Sequence, residues 1–158
     1  MYYLFIPIFS LFTVSLALFH QHFLGMEPCA WCILQRFIFI SIFIISIPGV
    51  FIDKVRKATI LLALPLVSSG IVVAIYQIFI AAKSTDCAIS FAEKFISYFQ
   101  LNTLIPQVFE NYALCSEASA TFLTLPYPIW GLISFVFLDI IISLNIVKLF
   151  KPILSSRN

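Results

Sequence analysis

Charge is what this 158-residue chain has least of. Asp, Glu, Lys and Arg together supply 10% of its residues, against roughly 25% in a soluble domain. That shortage excludes a water-soluble surface, as does a mean hydropathy of +1.09. The net charge of +2 comes without basic runs, which sets a nucleic-acid partner aside. Only four glycines and two histidines are present, and they form neither a phosphate-cradling loop nor a His-rich metal motif. What is plentiful is apolar: 62% of the chain, with 18 phenylalanines.

Four segments are long enough to cross a hydrocarbon core, which takes about 20 apolar residues. They run from about 3 to 19, 32 to 51, 58 to 82 and 128 to 147. The first and third carry no charge; Arg36 opens the second, and Asp139 is the only charge in the fourth. Pro48 and Pro65 are tolerable inside such helices, because neighbouring side chains and local adjustment satisfy the freed backbone groups. The expected fold is all-α: one integral membrane domain over 1–158, a four-helix bundle with a long extracytoplasmic loop carrying a short interfacial helix. Ser15-Leu16-Ala17 would serve as a signal-peptidase site, yet no Lys or Arg precedes the apolar run. The first segment is therefore read as a retained span rather than a cleaved signal.

The distribution of basic residues orients the bundle. The short connection Asp53-Lys54-Val55-Arg56-Lys57 has three, and the tail 148–158 adds Lys148, Lys151 and Arg157. Connections 20–31 and 83–127 together hold only Lys83 and Lys94, against Glu27, Asp86, Glu93, Glu110 and Glu117. The positive-inside rule then puts both termini and the 53–57 loop in the cytoplasm, and the two other loops outside.

All four cysteines fall on that outer side, and none is mid-span. Cys29 and Cys32 stand at the mouth of the second helix, while Cys87 and Cys115 lie in the second outer loop. The bacterial periplasm, or an equivalent space, permits disulfides that the cytosol does not. Cys29-Ala30-Trp31-Cys32 is a C-x-x-C, a spacing that lets two thiols close a small ring and reopen it. Its place at a helix N-terminus favours thiolate. Arg36 lies one turn after Cys32 on the same face. Either it snorkels to the headgroups as an anchor, or it stabilises a thiolate and the anionic form of a bound acceptor. Cys87 and Cys115, taken alone, read as a staple of a long loop, worth about 2–4 kcal/mol. A zinc site from all four fails on spacing, since the second pair is not C-x₂₋₄-C.

The 83–127 loop is too long to be structureless. Phe91, Phe95, Tyr98 and Phe99 recur at i, i+4, i+7 and i+8, which predicts a short helix lying in the membrane interface or capping the bundle. His20, His22, Trp31 and Trp130 are placed at the outer interface, where amphipathic rings collect, with His22 a possible proton relay. Asp139 is a functional suspect only because it is an acid inside a span.

Gln21-His22, followed by Glu27-Pro28-Cys29-Ala30-Trp31-Cys32-Ile33-Leu34-Gln35-Arg36, closely resembles the first outer loop and second helix of the DsbB disulfide-bond formation proteins. Ile105-Pro106-Gln107-Val108-Phe109, Cys115, Phe122-Leu123 and Pro128-Ile129-Trp130 resemble that family's second outer loop and fourth helix. The likeness covers nearly the whole chain. It differs at Ala120 and Thr124, where the family often has Trp and Gly. It differs also at Tyr76-Gln77-Ile78, where some members carry a His as a second quinone contact and Gln77 is the substitute.

The resemblance implies an enzyme of the bacterial inner membrane, a protein-thiol:quinone oxidoreductase. Such an enzyme oxidises a periplasmic DsbA-type thioredoxin-fold thiol oxidase and passes two electrons to a membrane quinone, ubiquinone or menaquinone. It implies that Cys87 forms the mixed disulfide with the partner, that Cys115 exchanges with Cys29, and that Cys32 faces the quinone beside Arg36. Two other readings stay open. A vitamin K epoxide reductase-like enzyme also combines four helices with two cysteine pairs, but opens a later helix with its C-x-x-C. A non-catalytic assembly factor would merely be stapled by two disulfides.

Overall fold

The computed structural model of the chain describes residues 2–81, 91–100, 103, 105–109, 121–122 and 125–155. Helix α1, Tyr2–Leu24, follows the first apolar run and continues past it. His20-Gln21-His22 contains no helix breaker, so the helix ends only before Gly25, whose φ of 63° suits a residue without a Cβ. Helix α2, Ala30–Phe51, starts two residues earlier than the apolar pattern suggests, with Cys29 as its extended N-cap (φ −85°, ψ 167°).

The basic stretch at 53–57 is no loop. Ile52 alone separates α2 from α3, Asp53–Phe79, so Asp53-Lys54-Val55-Arg56-Lys57 forms the opening turn of α3. Asp53 there complements the helix dipole and pairs with Arg56 one turn on. Two short helices follow, α4 over Phe91–Tyr98 and α5 over Pro106–Phe109. A two-residue antiparallel pair, β1 (Thr121–Phe122) with β2 (Leu125–Pro126), leads into the last long helix, α6, Tyr127–Ser155.

The four long helices α1, α2, α3 and α6 are apolar enough and long enough to span a membrane. Each packs on two of the others: α1 and α3 both contact α2 and α6. Lipid tails are as apolar as leucine, so packing rather than water exclusion holds such helices together. Phe39 of α2 and Phe135 of α6 accordingly stack at 4.0 Å and 9° in the core, beside the fully buried Ile42, Ile60, Val67 and Leu138. Phe12, Leu62, Val72 and Ile140 point outward, as lipid-facing residues should. At the end away from Cys29 and Cys32, the Tyr3 hydroxyl donates to Ser46 O at 2.8 Å and lies 2.7 Å from Thr59 Oγ1. One phenol thereby ties α1 to both α2 and α3.

Helix α4 lies on α2. Its buried face is Ala92 and Ile96. Of the four aromatics only Phe95 turns inward, edge-on to Phe37 with centroids 5.4 Å apart. Phe91, Tyr98 and Phe99 are exposed, a face that suits the membrane interface.

Candidate functional site

The site begins where Pro28 ends the first connection and α2 takes over. Cys29 caps the helix and Cys32 lies in its first turn, so both thiols stand at the N-terminal end of α2, where the helix dipole is positive. Their sulfurs are 3.4 Å apart, with Cys29 donating to Cys32. Both are buried, at 1% and 9% exposure. The hydrogen bond to Cys32 and then burial hold the Cys29 thiol, just outside the span, well above its ordinary value. Cys29 is thus the donor of the pair and Cys32 the acceptor. Behind them, on α3, Gln77 Nε2 donates to Cys32 Sγ at 3.1 Å and to Cys29 Sγ at 3.3 Å. Trp31, between the cysteines, packs on Tyr76 of α3 with ring centroids 4.8 Å apart.

Arg36 does not snorkel. It is 5% exposed, and its guanidinium donates to Gln21 Oε1 at 2.5 Å, Val108 O at 3.2 Å and Ala17 O at 3.5 Å. All three acceptors are neutral, so they orient the cation without cancelling its charge. The Val108 contact also brings α5, far along the chain, into the site.

A cleft of about 190 Å³ opens beside these groups between α1, α2 and α6. An apolar cavity of about 150 Å³ takes a benzene ring, so a six-membered ring can enter this one. Val14, Leu16, Phe39 and Trp130 supply apolar walls, while Cys32, Arg36, His20 and Tyr127 stand together at its polar end. A smaller recess reaches the same four residues from the side of Glu27 and Pro28. An apolar slot with a fixed cation and a sulfur at one end fits a quinone, whose ring is apolar and whose oxygens become anionic on reduction.

The structure therefore brings together Cys29, Cys32 and Arg36. Cys87 and Cys115, and with them Ala120 and Thr124, lie outside the described residues. Among the described residues no group of three or more His, Cys, Asp or Glu could hold a metal. Asp139 is half-buried and lies one turn and more beyond the α6 residues that line the cleft.

Several residues of the site carry no motif of their own. Of the two histidines at the outer interface, His22, the candidate proton relay, is exposed, whereas His20 is buried beside the cleft. His20 lies edge-on to Tyr127 with ring centroids 5.8 Å apart. Gln77, the substitute at the position of the family's helix-three histidine, touches both sulfurs. Gln35 carried only the motif, and the Val108 carbonyl left no trace in side-chain chemistry. Helical spacing could have found Gln35, which adjoins Arg36 on a helix otherwise apolar around it.

Residues 1–144 match the sequence model of one family, described as disulfide bond formation protein DsbB. Several relatives are similar over nearly their full length. The disulfide bond formation protein B of Cupriavidus metallidurans is 33% identical over 150 residues, 93% of this chain and 92% of that protein. Its counterpart in Ralstonia nicotianae is 28% identical over 148 residues, 93% of each chain. The protein of Pseudomonas syringae pv. tomato is 31% identical over 144 residues, covering 89% of this chain and 85% of the relative.

Proposed function

The chain belongs to the DsbB family of disulfide bond formation proteins, and on that basis we propose that it is a membrane protein-thiol:quinone oxidoreductase. Its substrate is a reduced DsbA-type thiol oxidase of the periplasm, and its acceptor is a membrane quinone. The observation that carries this reading is the Cys29–Cys32 pair, whose Cys32 lines, beside Arg36, a cleft walled largely by apolar side chains.

The chemistry rests on thiol–disulfide exchange, in which a thiolate attacks a sulfur and the displaced thiolate leaves. Cys87 takes up the partner's sulfur as a mixed disulfide, and resolution leaves the partner oxidised and Cys87 and Cys115 reduced. The Cys115 thiolate then attacks Cys29 of a Cys29–Cys32 disulfide and displaces Cys32; Cys87 resolves the Cys115–Cys29 bond, which restores the Cys87–Cys115 disulfide and leaves Cys29 and Cys32 as a dithiol. The quinone, when bound, supplies a sink for two electrons and two protons. Cys32 faces that sink and presents its sulfur to the cleft, held by donors from Cys29 and Gln77. Arg36 holds a positive charge at the polar end of the cleft, where it would stabilise negative charge on an acceptor oxygen. The apolar walls exclude water that would weaken that charge. His20 and Tyr127 line the same end of the cleft and are the groups there that could take part in moving protons released as the dithiol closes.

In this reading both termini are cytoplasmic, and the C-x-x-C end of the bundle faces the periplasm of a bacterial inner membrane. The test is turnover: purified protein, supplied with a reduced thioredoxin-fold partner, should reduce a soluble quinone analogue in proportion to the partner thiols lost. No quinone reduction by wild-type protein with intact cysteines would leave a stapled membrane scaffold as the better account.

A further inference from the structure

Gln35 and Gln77 are 6% and 3% exposed in the interior of a bundle surrounded by lipid. A buried amide costs free energy unless its polar atoms are matched, and these two are matched in a fixed order. Gln35 Nε2 donates to Gln77 Oε1 at 2.6 Å. With its oxygen so engaged, Gln77 must present Nε2 to the sulfurs, 3.1 Å from Cys32 and 3.3 Å from Cys29. Gln35 is flanked in turn by α6: its Oε1 lies where a Cβ on Gly131 would stand, so the bare backbone there leaves room for the side chain in this position. The chain Gly131–Gln35–Gln77–Cys32 crosses from α6 through α2 to α3 and ends on a reactive atom.

We propose that Gln77, oriented by Gln35, is a positioning residue that stabilises the reduced Cys29–Cys32 pair and so makes its disulfide a stronger oxidant. The inference rests on reading these cysteines as a redox pair, and on nothing about the acceptor or the partner. A thiolate in a low-dielectric site needs hydrogen-bond donors, whereas the sulfurs of a disulfide are neutral, weak acceptors. The Gln77 bonds are therefore stronger in the reduced state. The balanced equilibrium is disulfide plus two glutathione thiols going to the dithiol plus glutathione disulfide, two electrons and two protons moving to Cys29 and Cys32. Donors that favour the dithiol drive it forward, which is how a strong thiol oxidant is made.

A purely structural part, two glutamines joining α2 to α3, would change resistance to unfolding but not this equilibrium. The full chain is equilibrated in glutathione buffers, quenched, alkylated and read by mass of the peptide holding both cysteines. Gln77→Met keeps the side-chain length and removes the donor. It should shift the equilibrium about tenfold toward disulfide, about 30 mV more reducing for a two-electron couple, and slow Cys32 alkylation at neutral pH by a similar factor. Gln35→Met, with Gln77 present but unoriented, should shift both in the same direction by less. Wild-type equilibrium and alkylation in a folded Gln77→Met protein overturn the proposal. If that variant does not insert, Gln35→Met decides in its place by the same two readings. Failure of wild-type protein to reduce quinone would refute the proposed function while leaving this shift measurable.

Discussion

Replacing Arg36 by Met tests the acceptor end of the site most directly. The substitution keeps much of the aliphatic stem and removes a guanidinium held by Gln21, Val108 and Ala17. Because these partners are neutral, the charge remains available to an acceptor oxygen in the cleft. A hydrogen bond from a charged donor is worth about 1.5–3 kcal/mol, and about 1.4 kcal/mol is a factor of ten. The apparent KM for quinone should therefore rise by about 10- to 150-fold. Single-turnover exchange with the reduced partner should change far less, since it takes place at the cysteines. Arg36→Lys keeps the charge but loses the planar fork that spans three acceptors, so its KM should fall between wild type and Arg36→Met. The assay is steady-state quinone reduction beside stopped-flow exchange with the partner. An unchanged KM, or equal losses in both measurements, would remove Arg36 from acceptor binding.

Three further outcomes follow from the same geometry. Cys29→Ser, Cys32→Ser and Cys87→Ser should each insert normally and reduce turnover to background; full turnover in any of them breaks the proposed relay at that cysteine. A membrane-impermeant maleimide added from the periplasmic side should modify reduced Cys87 and Cys115, and reach the buried Cys29 and Cys32 only slowly without denaturant; labelling of either loop cysteine from the cytoplasmic side would invert the orientation. Tyr3→Phe removes the hydroxyl at Ser46 O and Thr59 Oγ1. At about 0.6 kcal/mol per hydrogen bond between membrane helices, it should cost about 1 kcal/mol in a detergent-unfolding titration and leave thiol turnover unaltered, whereas a loss of turnover would couple that end of the bundle to the cysteines.

Fold and chemistry were legible in the sequence to different depths. Span number and rough position follow from runs of apolar residues, because the bilayer imposes one length on every helix that crosses it. The pairing of Cys29 with Cys32, and of both with Arg36, is also a local matter: one helical turn sets their common face. Even so, local rules misplaced some edges. The apolar pattern cannot mark the N-cap at Cys29, and a run of basic residues looks like a loop whether or not it is the first turn of α3. The aromatic spacing in α4 marks a helical face, and a different stripe, Ala92 and Ile96, is the one that packs inward.

The sequence by itself determined that this is a membrane bundle with a redox-type cysteine motif and a cation one turn away, since each depends on residues a few positions apart. Tertiary structure alone decided what surrounds the sulfurs. Gln77 meets Cys32 across 45 positions of chain and Arg36 meets the Val108 carbonyl across 72, while Tyr127 and Gly131 arrive on the last long helix. No periodicity encodes such meetings, because they depend on the rotation and depth of each helix in its neighbours' grooves. Those quantities are set by packing among all four helices at once.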